Sequence, residues 1–254
     1  MVNKKALITG ASSGIGLEFV RALSKEYDIT LVSNEKDKLN KIVNELVGNH
    51  KFIYADLTDF KDIKRICDEI SNKNYNLVIN NAGMGIYGDF AETPIDKLNE
   101  VITINCNAIM MISHSFLKKA KPGDSLIIVS SAIVFLPSSN GPIYVSTKAF
   151  NSLLGQCLWH KQRKRGVYVM TLHPGVTNTG FFNKSGVNKL PPKSIMQSSE
   201  EVVKIAVREL NKRKKPIVVI DNSPINWNLA SEEIANETER GKKILNTLIE
   251  LELI

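Results

Sequence analysis

The sequence predicts an α/β fold: a doubly wound, seven-stranded parallel sheet covered by helices on both faces. Three observations carry this expectation. Short apolar runs alternate with longer stretches of helical period along most of the 254 residues. Most of these runs are continuous rather than alternating, which suits parallel strands buried on both sides. A glycine-rich turn, Thr9-Gly10-Ala11-Ser12-Ser13-Gly14-Ile15-Gly16, joins the first run to the first helical stretch.

In chain order, strands are expected over residues 6–9, 29–33, 51–55, 77–80, 125–129, 167–172 and 216–220. Helical periods fill the gaps at 14–27, 36–47, 60–71, 94–120, 141–165 and 199–213. Start signals agree. Thr93 stands as an N-cap before Pro94 in the first turn, with Asp96 as an early acid, and Ser198-Ser199-Glu200-Glu201 reads as a capping box. No linker, repeat or low-complexity stretch divides the chain, so residues 1–254 read as a single domain. Within it, residues 180–197 are too long for an ordinary connection and read as a mobile substrate-binding loop. Residues 223–254 read as a helical tail, because Ile244, Leu245, Leu248 and Ile249 recur at helical spacing.

Bulk composition excludes several classes. Hydrophobic content of 43% and charged content of 23% are ordinary for a globular protein. No apolar run is long enough to span a bilayer, and the N-terminus has no signal-peptide core before its first strand. Three widely spaced cysteines, Cys67, Cys106 and Cys157, suggest neither a disulfide framework nor a metal site, which points to a reducing cytoplasm. The net charge of +7 gathers at 118–121, 161–165 and 212–215, each near an expected helix end. Without interleaved aromatics these clusters read as solvated helix ends rather than a nucleic-acid surface.

The glycine turn sits where a phosphate cradle would. Gly10 permits the tight turn, Gly14 lets the backbone approach a cofactor, Gly16 lets helix and strand pack, and the helix N-terminus attracts a pyrophosphate. Further along, Tyr144 and Lys148 stand four residues apart, on one face of a helix. A phenol of pKa ~10 is a poor catalyst at neutral pH, and a neighbouring ammonium would lower it. At the end of the second strand, where an NAD enzyme usually carries an acid, the chain has Ser33-Asn34. These can hydrogen-bond a 2′-phosphate without repelling it. NADP(H) is therefore the preferred cofactor, with Lys36 and Lys38 as candidate cations, while Glu35 keeps NAD(H) open.

Taken together, these motifs resemble the short-chain dehydrogenase/reductase family over about residues 3 to 222, a Rossmann-type fold. Asn80-Asn81-Ala82-Gly83 matches the family's motif after the fourth strand, and Pro174-Gly175 with Thr179 matches the segment after the sixth. Tyr87 to Phe90, Thr147 to Phe150 and Thr179 to Phe182 are similar to its broad-specificity carbonyl reductase branch, itself akin to hydroxysteroid dehydrogenases and 3-ketoacyl reductases. The resemblance implies a catalytic set of Asn105, Ser131, Tyr144 and Lys148. It implies cofactor contacts from Thr9, Gly10, Ser12, Ser13, Gly14, Ile15 and Gly16, from Ser33 and Asn34, and from Asp56 and Leu57. Asn81, Ala82, Gly83, Tyr144, Lys148, Pro174, Gly175 and Thr179 complete that set. Ser131, Phe181 and Phe182 are implied to meet the substrate. Plainer roles stand beside these. Ser130 or Ser131 could cap the turn after the fifth strand, Asp56 could be an N-cap or turn residue, and Thr179 could cap a loop. His173 has no partner at useful spacing and carries no catalytic role.

The implied reaction moves a hydride between a nicotinamide and a small-molecule ketone or aldehyde. Ser131 would polarise the carbonyl, Tyr144 would deliver the proton, Lys148 would hold the ribose, and Asn105 would fix a relay water. A cofactor-binding regulator without turnover is the alternative. The resemblance also implies a homodimer or homotetramer, and the chemistry needs no metal.

Overall fold

A computed structural model describes residues 4–135, 141–186 and 193–220. The middle of the 180–197 loop and the whole 223–254 tail lie outside the described residues. Among the described residues there are seven strands: β1 (Lys4–Thr9), β2 (Tyr27–Ser33), β3 (Lys51–Tyr54), β4 (Leu77–Asn80), β5 (Ser125–Val129), β6 (Tyr168–Pro174) and β7 (Ile217–Ile220). They form one parallel sheet in the order β3-β2-β1-β4-β5-β6-β7. The order reverses between β1 and β4, and the crevice beyond their C-terminal ends is where such sheets bind ligands.

Helices α1 (Gly14–Leu23), α2 (Lys36–Glu45), α3 (Phe60–Asn72), α4 (Ile95–Ile102), α5 (Ala108–Lys119), α6 (Pro142–Gln162) and α7 (Ser199–Lys212) cover the sheet. Alternate strand residues feed two cores, because successive side chains point to opposite faces. Ala6, Ile8, Met170 and Leu172 pack with Phe19 and Val20 of α1, Leu39 of α2 and Ala206 of α7. Leu7, Val78, Leu126 and Val169 pack with Ile63 and Ile66 of α3 and Ile112 and Phe116 of α5.

Strand and helix ends shift by a few residues from the sequence expectation. β1 begins at Lys4 and β2 at Tyr27 because Lys4 pairs with Tyr27 in the ladder, whatever their side chains. The expected 94–120 helix is interrupted by a π-helical turn, Thr103–Asn107, between α4 and α5. Thr93 does not cap α4; its hydroxyl donates to the Asp89 carbonyl at 2.6 Å. The capping box of α7 forms as expected, with Glu201 N–H donating to the Ser198 hydroxyl and Ser198 N–H donating to the Glu201 carboxylate.

Beneath α6 lies a polar layer. Gly155 leaves room for Thr171, since a Cβ there would meet the Thr171 hydroxyl at 2.0 Å. His173 is fully buried, with Nε2 2.9 Å from the Ser152 hydroxyl, and burial pushes its pKa down to about 4. The imidazole is thus neutral when folded, whereas an unfolded chain protonates it near its ordinary value. Between those two values the unfolded state binds more protons, so stability rises with pH. On acidification from pH 6.5 to about 4, His173 is expected to remove up to about 3 kcal/mol of stability. Urea unfolding of wild type and His173→Asn across this window checks it; an equal acid slope in both would refute the assignment.

Candidate active site

A cleft of about 530 Å³ opens beyond β1 and β4, within the range of small-molecule and cofactor sites. One wall is the first turn of α1, formed by Ser12, Ser13, Gly14 and Ile15. Ser13 makes no side-chain cap and the first turn carries no acid, so its amides remain available to an anion. Gly10 and Gly14 adopt positive φ of 66° and 53°. A Cβ on Gly14 would lie 2.9 Å from Thr179 Cγ2, so the turn approaches the opposite wall closely. This is a cradle that side chains would fill, and it suits a dinucleotide.

Gly10, Ser12, Ser13, Gly14, Ile15, Ser33, Asn34, Asp56, Leu57, Asn81, Ala82, Gly83, Pro174, Gly175 and Thr179 all line the cleft, as do Ser131, Tyr144, Lys148, Phe181 and Phe182. Thr9, Gly16 and Asn105 do not. Thr9 is buried, and its hydroxyl accepts from the Asn81 and Ala82 amides at 3.0 Å each, zipping the ends of β1 and β4 together. Gly16 serves packing: a Cβ there would sit 2.1 Å from the Gly10 carbonyl oxygen. Asp56 forms a turn at the edge of the cleft. It lines the cleft, and its carboxylate accepts from the Thr58 amide and hydroxyl at 2.9 and 2.8 Å, as a turn former.

Asn105 sits on the π turn and is fully buried. Its Oδ1 accepts from the Met84 amide at 3.0 Å. Its Nδ2 donates to the Met84 carbonyl at 2.8 Å and to the Thr147 hydroxyl at 2.9 Å. With both Nδ2 hydrogens used, the carboxamide is a clamp between the Gly83–Met84 segment and α6. Gly83 makes this possible, because a Cβ there would lie 2.9 Å from Asn105 Oδ1 and 3.4 Å from Lys148 Nζ.

Lys148 is buried, and its ammonium donates to the Val129 carbonyl at 3.0 Å, 5.9 Å from the centre of the Tyr144 ring. Burial brings its pKa down to about 8. The phenol of Tyr144 is not lowered here. Burial pushes it above its ordinary value, and Tyr87 adds to this, while the facing Ser131 hydroxyl pulls the other way. Desolvation of the phenolate outweighs its surroundings in this geometry. Ser130, the alternative to Ser131, also lines the cleft, and its hydroxyl donates to the Lys148 main-chain carbonyl at 2.7 Å.

At the far end, Glu35 and Lys38 line the cleft beside Ser33, whereas Lys36 does not. The Ser12 hydroxyl donates to Glu35 at 2.6 Å and lies 2.8 Å from the Ser33 hydroxyl, while Lys38 pairs with Glu35 at 2.7 Å. Near Tyr144 the sequence reading missed Tyr87, Ile104 and Ile133, which also line the cleft. Gly85, two residues before Tyr87 in a glycine-rich run, was the available signal.

A nucleotide cradle at the switch point of a parallel sheet, with a buried Tyr/Lys pair at its deep end, defines a dinucleotide-dependent oxidoreductase. The family model described as short chain dehydrogenase matches residues 4–189, and the chain belongs to that family. It is 27% identical over 208 residues to an uncharacterized oxidoreductase of Staphylococcus aureus, covering 78% of this chain and 90% of that one. It is 26% identical over 223 residues to a very-long-chain 3-oxoacyl-CoA reductase of Phaeosphaeria nodorum, covering 82% of this chain and 63% of that protein. Among solved structures, a short-chain dehydrogenase from Sphingobium yanoikuyae in complex with NADPH superposes with a TM-score of 0.81 at 25% identity, covering 95% of each chain. The protein is thus an NAD(P)-dependent dehydrogenase/reductase.

Proposed function

We propose that this enzyme interconverts a ketone or aldehyde and its alcohol, with NADP(H) as the preferred cofactor. The observation that carries the reading is the convergence of Ser131, Tyr144 and Lys148 on the cleft that begins at the glycine turn. When bound, the nicotinamide supplies or takes up the hydride. The chain's residues do the rest. Ser131 donates a hydrogen bond to the carbonyl oxygen, stabilising the charge that develops there. Tyr144, facing Ser131, gives its hydroxyl proton to the same oxygen. Lys148 holds a ribose hydroxyl, and its positive charge favours the phenolate left behind. Asn105 acts as a positioning residue, fixing Gly83–Met84 against α6 so that Lys148 keeps its place. A burial-raised phenol makes a stronger base once deprotonated, so turnover leans on this ammonium, which burial makes easier to discharge as pH rises past about 8.

We read residues 1–254 as one dinucleotide-binding and catalytic domain, with 180–197 as its substrate-binding loop and 223–254 as its C-terminal tail. The broad-specificity carbonyl reductase branch, a cytoplasmic location and a homodimer or homotetramer complete the reading. Oxidation of NADPH by wild-type protein against a panel of ketones and aldehydes tests it; turnover of none sinks it in favour of a cofactor-binding regulator.

The NADP preference rests on Ser12, Ser33, Asn34 and Lys38. Glu35 now engages the Ser12 hydroxyl and the Lys38 ammonium, two donors that a 2′-phosphate would use. Glu35→Gln removes a like charge from that position and is expected to raise the NADPH/NADH affinity ratio at least about fivefold. Fluorescence titration of both cofactors decides the matter. Tighter binding of NADH than NADPH by wild type would end the preference.

A further inference from the structure

Beside the Tyr144 hydroxyl the cleft is walled by rings. Tyr87 lies 5.8 Å from Tyr144 between centroids, Phe181 lies 5.3 Å from Tyr144, and Phe182 lies 5.5 Å from Phe181. These spacings are those of tilted and edge-to-face aromatic packing. The wall is backed by bare main chain. A Cβ on Gly141 would meet the Tyr87 ring at 2.9 Å, and one on Gly85 would meet the Phe181 ring at 2.6 Å. The rings therefore have no room to retreat behind themselves. The two segments that carry them are also tied, because the Tyr87 amide donates to the Ser185 carbonyl at 3.0 Å.

Charge narrows the ligand further. Around this end the described lining is Tyr87, Ile104, Ala132, Ile133, Val176 and the two phenylalanines, together with the catalytic groups. Lys148 is the one charged side chain among them, and its ammonium is engaged by Val129. An acidic substrate would find no second cation among the described residues here. Burial of the Tyr87 phenol, whose pKa rises to about 12, keeps that wall neutral at any working pH.

We infer that the substrate is a neutral aryl carbonyl compound, its ring held against Tyr87 and Phe181 with the carbonyl directed at Ser131 and Tyr144. This rests on the carbonyl-reductase reading, so the test separates the two. In the Tyr144→Phe protein saturated with NADPH, the ring wall remains and turnover is removed. Calorimetry then compares 1-phenylpropan-1-one with nonan-2-one, each with nine carbons and one carbonyl. The alkyl ketone carries more apolar surface, so burial alone favours it. Ring contacts reverse that order, and the aryl ketone is expected to bind roughly three- to tenfold tighter. Phe181→Leu in the same background should bring the ratio close to one, and Tyr87→Leu serves if that variant does not fold. Equal or tighter binding of nonan-2-one, or a ratio unmoved by every folded ring variant, overturns the inference. Aryl preference in binding with no wild-type turnover of either ketone would overturn the reductase reading and leave ring recognition standing.

Discussion

Replacing Tyr144 by Phe is expected to lower turnover at least about 100-fold, the usual contribution of a general acid, while cofactor affinity stays within a few-fold. The change removes one hydroxyl and keeps the ring, so contacts to Tyr87 and Phe181 survive. Stability should fall by no more than the single hydrogen bond to Ser131, about 1 kcal/mol. Lys148→Met differs in kind, since it takes away both the ribose contact and the charge behind the phenolate, and should damage binding and turnover together. Single-turnover kinetics with stopped-flow cofactor fluorescence reads the two effects separately. A Phe variant that keeps more than about a tenth of the wild-type rate would show that the proton comes from elsewhere.

The second large effect belongs to Gly16. An added methyl would lie 2.1 Å from the Gly10 carbonyl oxygen and 2.6 Å from Asn81 Nδ2, so main chain must move. Overpacking of this kind costs about 1–3 kcal/mol, and contact with main chain places Gly16→Ala at the upper end. For a chain of this size the melting temperature should fall by roughly 5–10 °C. The displaced turn is also the cradle, so NADPH affinity should drop about tenfold or more. Gly180→Ala is the control, since its methyl meets nothing within 4 Å among the described residues and should leave the melting temperature unchanged. Similar behaviour of the two variants in differential scanning fluorimetry would mean that close packing at Gly16 is not what holds the turn.

Much of this architecture is written in local pattern. Leu77-Val78-Ile79-Asn80 is buried at every position, and such a run has few places in an α/β protein other than a central parallel strand. Ends were harder, because ladder partners rather than side chains decide them, as Lys4 opposite Tyr27 shows. The site was legible to a different depth. Motif membership named the residues that gather at the cleft, but not which way each one turns. Thr9, Gly16 and Asn105 belong to the motifs, yet Thr9 and Gly16 face the packing side and Asn105 is buried behind the cleft against Met84 and Thr147. Gly85 marks the segment of Tyr87 in the sequence, but the contact of Tyr87 with Tyr144 joins two distant segments and shows only in the folded chain. The raised phenol has the same origin: spacing shows a neighbouring lysine, and only the fold shows that the ring is buried beside Tyr87.

The π turn between α4 and α5 sets a condition on insertions and deletions. A π turn holds one residue more than the α-helix would, and residues 103–107 carry it at the point where Asn105 reaches Met84 and Thr147. Removing any one of these five residues would let the helix close into regular α geometry. Ile109, Ile112 and Phe116 beyond it would keep their phase on the α3 core, because a π turn advances the chain about as far around the axis as an α turn that has one residue fewer. What would be lost is local: the bulge that brings Asn105 to Met84 and Thr147. A single spare residue thus serves the polar clamp without disturbing the apolar face beyond it. Point changes at Ile104 or Cys106 leave the bulge in place; loss of a residue removes it. The length of this segment is therefore under tighter constraint than its composition.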